Sequence, residues 1–238
     1  MPSHTTPQQP MLTTLRPTLP QLELTPNSAL LLRGLSWADY LQLLQALGDD
    51  RPTRCTFSQS CLELRMPSRH REIVNRLLAK IVVALVEEWG GNVRDLGSST
   101  WNQPQFAQGA EPDSCFYIQN ADRIQGLNPQ IPDNLPPDLI IEVDIASSCQ
   151  RRLPLYATLG VPEIWLYQGS NLAEGTIVIL GLGHEATAPS PAAYSPQPAS
   201  LAFPALSPQQ LQAWVQQGAE QGDIPLLRQV RQFCRQTP

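Results

Sequence analysis

The segment PPDLIIEVDIASS, residues 136–148, places two carboxylates inside the pattern of a buried strand. Glu142 and Asp144 are spaced i and i+2, so in a strand both point to the same side of the sheet. Ile140 shares that side, and the opposite side is fully apolar. An ionised carboxylate among apolar residues is costly unless it is paired or binds a metal ion. The alternative is the solvent-facing side of an antiparallel sheet, where such alternation is ordinary.

A third acid and a cation could reach the same place. Asp113 begins a predicted strand, and Arg152 follows Asp144 by eight residues. Three carboxylates suit a hard divalent cation such as Mg²⁺, which can activate water and offset charge on a phosphodiester. Arg152 could stabilise charge in the transition state. Taken alone, Asp113 could merely follow a turn at Pro112, and Arg152 could be a solvated helix charge.

The composition is that of a soluble globular protein. The chain has 238 residues, of which 42% are hydrophobic and 16% charged. The net charge of −5 argues against a general nucleic-acid-binding surface but leaves a local positive groove open. Five cysteines without a C-x-x-C pattern predict neither a zinc site nor a disulfide framework. Without a signal peptide or an apolar run of about 18 residues, the sequence predicts a cytoplasmic protein with no membrane contact.

The hydrophobic periodicity predicts a mixed α/β domain over residues 30–183. The clearest helix starts near Arg69 and ends at Gly90–Gly91, with one apolar stripe made of Val74, Leu77, Leu78, Ile81, Leu85 and Trp89. Another helix is predicted at 35–47, and a short one around Pro154. Strands are predicted at 55–57 and 61–66 as a hairpin, and at 92–97, 113–119, 139–145, 162–167 and 176–182.

The remaining segments read as tails, a linker and an extension. Residues 1–29 are predicted to be a flexible Pro-rich tail, and 184–207 a linker rich in Pro, Ala and Ser. Residues 208–238 are predicted to form a C-terminal helical extension, with helices at 208–218 and 223–236. These helices could pack on the domain or dock a partner, and packing is the more frequent use of an amphipathic helix.

Five sequence blocks occur in a fixed order between Leu35 and Tyr167: RMPSRHREI, LGSSTW, EPDSCFYIQN, PPDLIIEVDIASS and YATLGVPEIWLY. On these blocks the chain resembles the Uma-two family of restriction endonuclease-like proteins, within the PD-(D/E)xK nuclease superfamily. The resemblance implies a restriction-endonuclease-like mixed sheet flanked by helices, and Mg²⁺-dependent cleavage of DNA. It also implies that Asp113 is the acid of PD and Glu142 the acid of (D/E)xK, both as metal ligands.

The chain departs from the pattern at its cations. The superfamily lysine would fall two residues after Glu142, where this chain has Asp144. In the Uma-two family the cation moves to the next helix, just before LxxY, and the sequence RLPLY puts Arg152 there. Arginine stays protonated and is a poor proton acceptor, which puts general-base catalysis by this side chain in doubt. Family members also tend to have Glu directly after the histidine of the first long helix, whereas Arg71 follows His70 here.

These residues predict a metal-dependent endonuclease that acts on DNA. Asp113 and Glu142 would hold Mg²⁺ or Mn²⁺, Asp144 would be a third ligand or orient water, and Arg152 would contact the scissile phosphate. A homodimer is plausible because cutting both strands needs two active centres. The alternative is a catalytically weak or inactive binding module with the nuclease fold, which the missing lysine and the acidic net charge favour.

Overall fold

A computed structural model describes residues 24–48, 50–132, 135–144, 149–171, 174–183 and 193–237. The helices in that part are α1 (Trp37–Leu47), α2 (Arg69–Glu88), α3 (Leu153–Leu159), α4 (Pro208–Gln221) and α5 (Asp223–Gln236). The strands are β1 (Ala29–Arg33), β2 (Arg54–Ser58), β3 (Cys61–Arg65), β4 (Arg94–Asp95), β5 (Trp101–Gln103), β6 (Gln108–Ala110), β7 (Ser114–Tyr117), β8 (Leu139–Asp144), β9 (Glu163–Gln168), β10 (Thr176–Gly183) and β11 (Ala193–Gln197). Most of the predicted tail, residues 1–23, lies outside the described residues.

The strands form two sheets, and the six-stranded one carries the predicted acids. Its order is β11-β10-β9-β8-β7-β4, and β8 lies between β7 and β9. The pair β8–β9 is parallel, with α3 in the crossover, and the other pairs are antiparallel. The second sheet has the order β1-β3-β2-β6-β5 and contains the predicted hairpin. The predicted mixed α/β fold is therefore confirmed.

Strand β8 is buried on both faces, so neither of its carboxylates is exposed to solvent. All six of its residues are buried. Leu139, Ile141 and Val143 belong to the main core, with α2, α4 and α5. Ile140 faces the other way and packs with residues of α3. The solvent-facing alternative for Glu142 and Asp144 is thus wrong, since other parts of the protein pack on both faces of β8.

Helix α2 runs along one face of the six-stranded sheet. Ser68 caps it by accepting the Arg71 backbone N–H, and its apolar stripe is buried from Val74 to Leu85, whereas Trp89, directly after the helix, is 38% exposed. The two C-terminal helices pack on α2, since Trp214 and Val230 belong to the same core as Leu78. Ion pairs at the protein surface also join the two elements, since Arg231 and Arg235 of α5 pair with acids at the end of α2. Of the two alternatives for these helices, the structure therefore shows packing on the domain.

Several short elements differ from the sequence-based expectation. Residues 193–197, inside the predicted linker, form edge strand β11, and Phe203 and Leu206 are buried in the core. Proline is tolerated in an edge strand because the N–H that it lacks would face solvent there. The Pro-rich composition predicted a linker and therefore concealed this strand. The strand predicted at 92–97 is reduced to the two residues of β4. Strands β1, β5 and β6 were not predicted, since runs of three to five residues carry too little periodicity.

Two expectations from composition can also be compared with the structure. All five cysteines are free thiols, and four of them are buried. Among the described residues no helix is both long enough and apolar enough to cross a membrane.

Candidate active site

Glu142 is the centre of a buried ionic cluster. Arg152 directly precedes α3, and Tyr156 lies one helical turn later. Both side chains therefore lie on the same side of the helix and reach Glu142 on β8. Arg152 donates from Nε to Oε1 at 3.1 Å and from Nη2 to Oε2 at 2.8 Å. The Tyr156 hydroxyl also donates to Oε1. Glu142 and Arg152 are both 0% exposed, so this two-point pair is shielded from water.

The second sheet contributes a glutamate and an arginine to the cluster. Glu63 and Arg65 stand two residues apart on β3 and therefore share a face. Arg152 Nη1 lies 3.4 Å from Glu63 Oε2. Arg65 Nη1 lies 3.7 Å from Glu142 Oε2 and 3.8 Å from Asp113 Oδ1. The cluster thereby connects the two sheets through buried charges.

Asp113 lies beside β8, where the sequence predicted it. Its Oδ2 accepts the Val143 backbone N–H at 2.8 Å, and Asn75 donates to its backbone carbonyl at 3.1 Å. Asp144 ends β8, and its Oδ2 accepts the Cys149 N–H at 2.9 Å. Residues 145–148 lie outside the described part of the chain. The structure thus brings Asp113, Glu142 and Arg152 together and holds Asp144 against the chain that follows its strand.

Helix α2 directs one more cation at the cluster. Arg71 and Asn75 are four residues apart, so they share a helix face, and Asn75 contacts Asp113. Arg71 is 6% exposed, and its Nε and Nη1 have no hydrogen-bond partner among the residues that the structure describes. No described carboxylate lies within 4 Å of its guanidinium, in contrast to Arg152. The cluster therefore contains one buried arginine that is not ion-paired with any described acid.

The pKa directions follow from burial and from these arginines. Burial raises the pKa of Asp113, the Glu142 charge raises it further, and Arg65 opposes both only in part. Burial also raises the pKa of Glu142, but Arg152 and Arg65 outweigh it, so this pKa lies below its ordinary value. Burial lowers the pKa of Arg152, but the Glu142 charge raises it well above its usual range. Arg152 therefore stays protonated and does not accept a proton.

The donor chemistry of the two acids suits a divalent cation. Carboxylate oxygens are the ligands that Mg²⁺ prefers, and it often binds one or two of them together with waters and phosphate. Asp113 Oδ1 accepts no hydrogen bond from the described residues, whereas both oxygens of Glu142 are occupied by Arg152 and Tyr156. A cation would therefore share Glu142 with a guanidinium. In the described ranges no three His, Cys, Asp or Glu are grouped to hold a metal ion, so the role of Asp144 as third ligand stays a prediction.

Sequence reasoning missed several members of the cluster. Glu63 and Arg65 lie in a short hairpin strand whose alternation could have placed them on one face. Tyr156 stands four residues after Arg152, which is the spacing of neighbours on a helix. Arg71 was noticed only as a departure from the family pattern.

The acids that flank the cluster have structural partners. Glu111 is held by Arg51, by the Cys55 N–H at 2.8 Å and by the Thr100 hydroxyl at 2.6 Å. Asp138 accepts the N–H groups of the two residues that follow β7. Both therefore fix chain segments around the cluster.

The chain is a mixed α/β protein with a buried acid pair at the middle of its six-stranded sheet. A family model described as "Uma2: Putative restriction endonuclease" matches residues 37–217, which is most of the chain. The chain therefore belongs to the Uma2 family, and the predicted family is confirmed.

A solved structure supports the fold independently. It is titled a "putative nuclease belonging to DUF820 from Anabaena variabilis ATCC 29413", and it matches with a TM-score of 0.51 and 15% identity. The match covers 76% of this chain and 99% of that one, and at this identity it shows the fold alone. No curated protein matches the chain.

Proposed function

We propose that this protein hydrolyses phosphodiester bonds of DNA with the help of a divalent metal ion. The observation that carries the proposal is the buried acid pair. Asp113 immediately precedes β7, Glu142 lies on the adjacent strand β8, and both carboxylates lie within 4 Å of Arg65 Nη1. Two buried carboxylates this close are costly in a protein that has no use for them.

Asp113 and Glu142 are the residues that would hold Mg²⁺ or Mn²⁺. Such an ion, when bound, activates water and neutralises charge on the phosphate. Arg152 and Tyr156 keep Glu142 ionised and fix the direction of its oxygens. The Arg152 guanidinium is already paired with Glu142 and Glu63, so in this role it is a positioning residue rather than a group that contacts the scissile phosphate.

DNA is the proposed partner, and a second copy of the chain would supply the second centre that a double-strand cut requires. The charge of the protein does not oppose this, because a local arginine cluster can bind phosphate although the net charge is −5.

A second candidate function is DNA binding without cleavage. It is favoured by one observation, the two-point pairing of Arg152 with Glu142. In this arrangement a guanidinium already neutralises the carboxylate that a metal ion would need. Binding of a metal ion to Glu142 would displace the Arg152 guanidinium and leave this buried charge without its main partner, which is costly.

Nicking of supercoiled plasmid separates the two functions. Wild type with Mg²⁺ or Mn²⁺ should nick the plasmid, and EDTA should stop the reaction. Asp113→Asn is the decisive variant, since it removes a metal-binding charge but keeps an oxygen for the Val143 N–H and leaves the Glu142–Arg152 pair intact. It should lose the activity. Glu163→Gln, at a buried glutamate outside the cluster, is the matched control and should retain it. Equal trace nicking by wild type and Asp113→Asn would refute hydrolysis and leave the binding function.

A further inference from the structure

The ionic cluster contains more N–H donors than its own acids use. Nε and Nη1 of Arg71, and Nε and Nη1 of Arg65, are buried without a hydrogen-bond acceptor in the described part of the chain. Arg71 is 6% and Arg65 3% exposed. A buried N–H group without an acceptor is destabilising, and more so when it carries charge. These four nitrogens are therefore suited to an acceptor that comes from outside the protein.

The carboxylates of the cluster do not fill these donors. Arg65 Nη1 lies 3.8 Å from Asp113 Oδ1 and 3.7 Å from Glu142 Oε2, which is too far for a hydrogen bond. Glu142 already accepts three hydrogen bonds from Arg152 and Tyr156. Arg65 Nη2 donates to the Glu111 backbone carbonyl at 3.0 Å, so the acids attract the two arginines electrostatically but leave their Nε and Nη1 groups without an acceptor in the described part of the chain.

The position of Arg71 also favours an anion. It lies in the first turn of α2, a helix of 20 residues, and helix N-termini attract negative charge. The helix face that carries Arg71 adjoins the acids, since Asn75 on that face donates to the Asp113 carbonyl. Burial lowers the pKa of the Arg71 guanidinium, and a bound anion would compensate for the lost hydration.

We propose that Arg65 and Arg71 bind a phosphate group of DNA directly, without a metal ion, next to Asp113 and Glu142. The choice of DNA rests on the proposed function. Phosphate offers several acceptor oxygens, and guanidinium groups bind it through paired hydrogen bonds. Repulsion from Glu142 is reduced because Arg152 already neutralises it. Arg71 would thus be a positioning residue that holds the diester beside the two acids.

Thermal melts in EDTA test the phosphate site itself. Inorganic phosphate is compared with chloride at equal ionic strength for wild type, Arg71→Gln and Arg69→Gln. Arg69 is the matched control, since it is an exposed arginine in the same helical turn. Wild type and Arg69→Gln should melt higher as phosphate is added, and Arg71→Gln should lose the rise.

Without phosphate, Arg71→Gln should be as stable as wild type or more stable, because it removes N–H groups that have no acceptor. An arginine with a merely structural role would give the opposite result. An equal rise in wild type and Arg71→Gln, or no rise in wild type, would overturn the proposal.

Binding of a labelled short DNA duplex in EDTA tests the source of the phosphate. Arg71→Gln should bind about tenfold more weakly, the scale of one lost charged hydrogen bond. Arg69→Gln should stay close to wild type, and inorganic phosphate should compete. Unchanged duplex binding by Arg71→Gln would overturn DNA as the ligand. Asp113→Asn separates this proposal from hydrolysis, because it should bind the duplex at least as tightly as wild type in EDTA even though it cannot cleave it with Mg²⁺.

Discussion

The six-stranded sheet holds two fully buried glutamates on adjacent parallel strands, and they are satisfied in different ways. Glu142 on β8 faces α3, and Glu163 on β9 faces the main core together with Trp165. Glu142 is held by two bonds from one arginine and by a tyrosine. Glu163 accepts four hydrogen bonds from neutral donors. These are Trp165 Nε1 at 2.5 Å, Ser200 Oγ at 2.6 Å, and the N–H groups of Leu201 at 2.6 Å and Ala202 at 2.9 Å.

The difference indicates which carboxylate is structural. Both oxygens of Glu163 are filled by neutral groups, and no described Lys or Arg lies within 4 Å of it. It fastens the segment before α4 to β9 and thereby places Phe203 in the core. The cluster around Glu142 instead uses charged donors and leaves others on Arg65 and Arg71 unfilled. Glu163 is complete without a ligand, whereas the Glu142 cluster can accept one.

The largest expected effect comes from breaking the Glu142–Arg152 pair. Arg152→Met leaves Glu142 buried without its main partner, and Glu142→Gln leaves Arg152 in the same condition. Each single change should lower the free energy of unfolding by about 3–5 kcal/mol. The double variant should lose clearly less than the sum, since it leaves neither charge behind. Denaturant unfolding of the four proteins measures this coupling, and additive losses would show that the pair is not a unit.

Glu163→Gln should cost less, about 2–3 kcal/mol. An amide keeps one acceptor oxygen, but its NH₂ group faces two donors and loses their hydrogen bonds, each worth about 1–1.5 kcal/mol net. No charge is left unpaired, unlike at Glu142. Hydrogen exchange should show faster opening of the N–H groups of Leu201 and Ala202. An effect on DNA binding as large as that of Arg71→Gln would contradict the separation of the two regions.

Much of the fold could be predicted because its main elements carry strong periodicity. The stripe of α2 and the apolar runs of β8 to β10 lie where the sequence predicts them. The second sheet was recognised only at its hairpin, since its other strands gain their stability from pairing rather than from a pattern of their own. Strand β11 was concealed by the prolines around it.

The acids of the candidate site could be predicted from the sequence, but the arginines that surround them could not, apart from Arg152. The spacing of Glu142 and Asp144, and the start of a strand at Asp113, are local signals. Arg65 reaches the cluster from the other sheet and Arg71 from a helix, so only tertiary packing reveals them. Glu163 shows the converse limit. It also stands in an apolar strand, and sequence alone does not reveal that neutral donors satisfy it.

Metal binding should give the smallest change in stability. Its effect on the melting temperature distinguishes the Glu142 cluster, where the ion is expected to bind, from Glu163, where it is not. A ligand that binds only the folded protein stabilises it by RT ln(1 + [L]/Kd), about 1.4 kcal/mol for each tenfold excess over Kd. If Asp113 and Glu142 hold the ion, wild type should melt higher as Mn²⁺ is added in the millimolar range. Asp113→Asn should lose most of this rise, because it removes the charge of the acid that has an uncommitted oxygen.

Glu163→Gln should keep the full rise, although it starts from a lower melting temperature, since its carboxylate lies on the other face of the sheet. Arg152→Lys should respond at lower Mn²⁺ concentration than wild type, because a lysine cannot occupy both oxygens of Glu142 as the guanidinium does. The melts of these four proteins, with and without Mn²⁺, therefore decide the assignment. A flat response in wild type together with a response in Arg152→Lys would mean that Arg152 itself serves as the resident cation. A flat response in both would show that the acid pair serves the arginines alone.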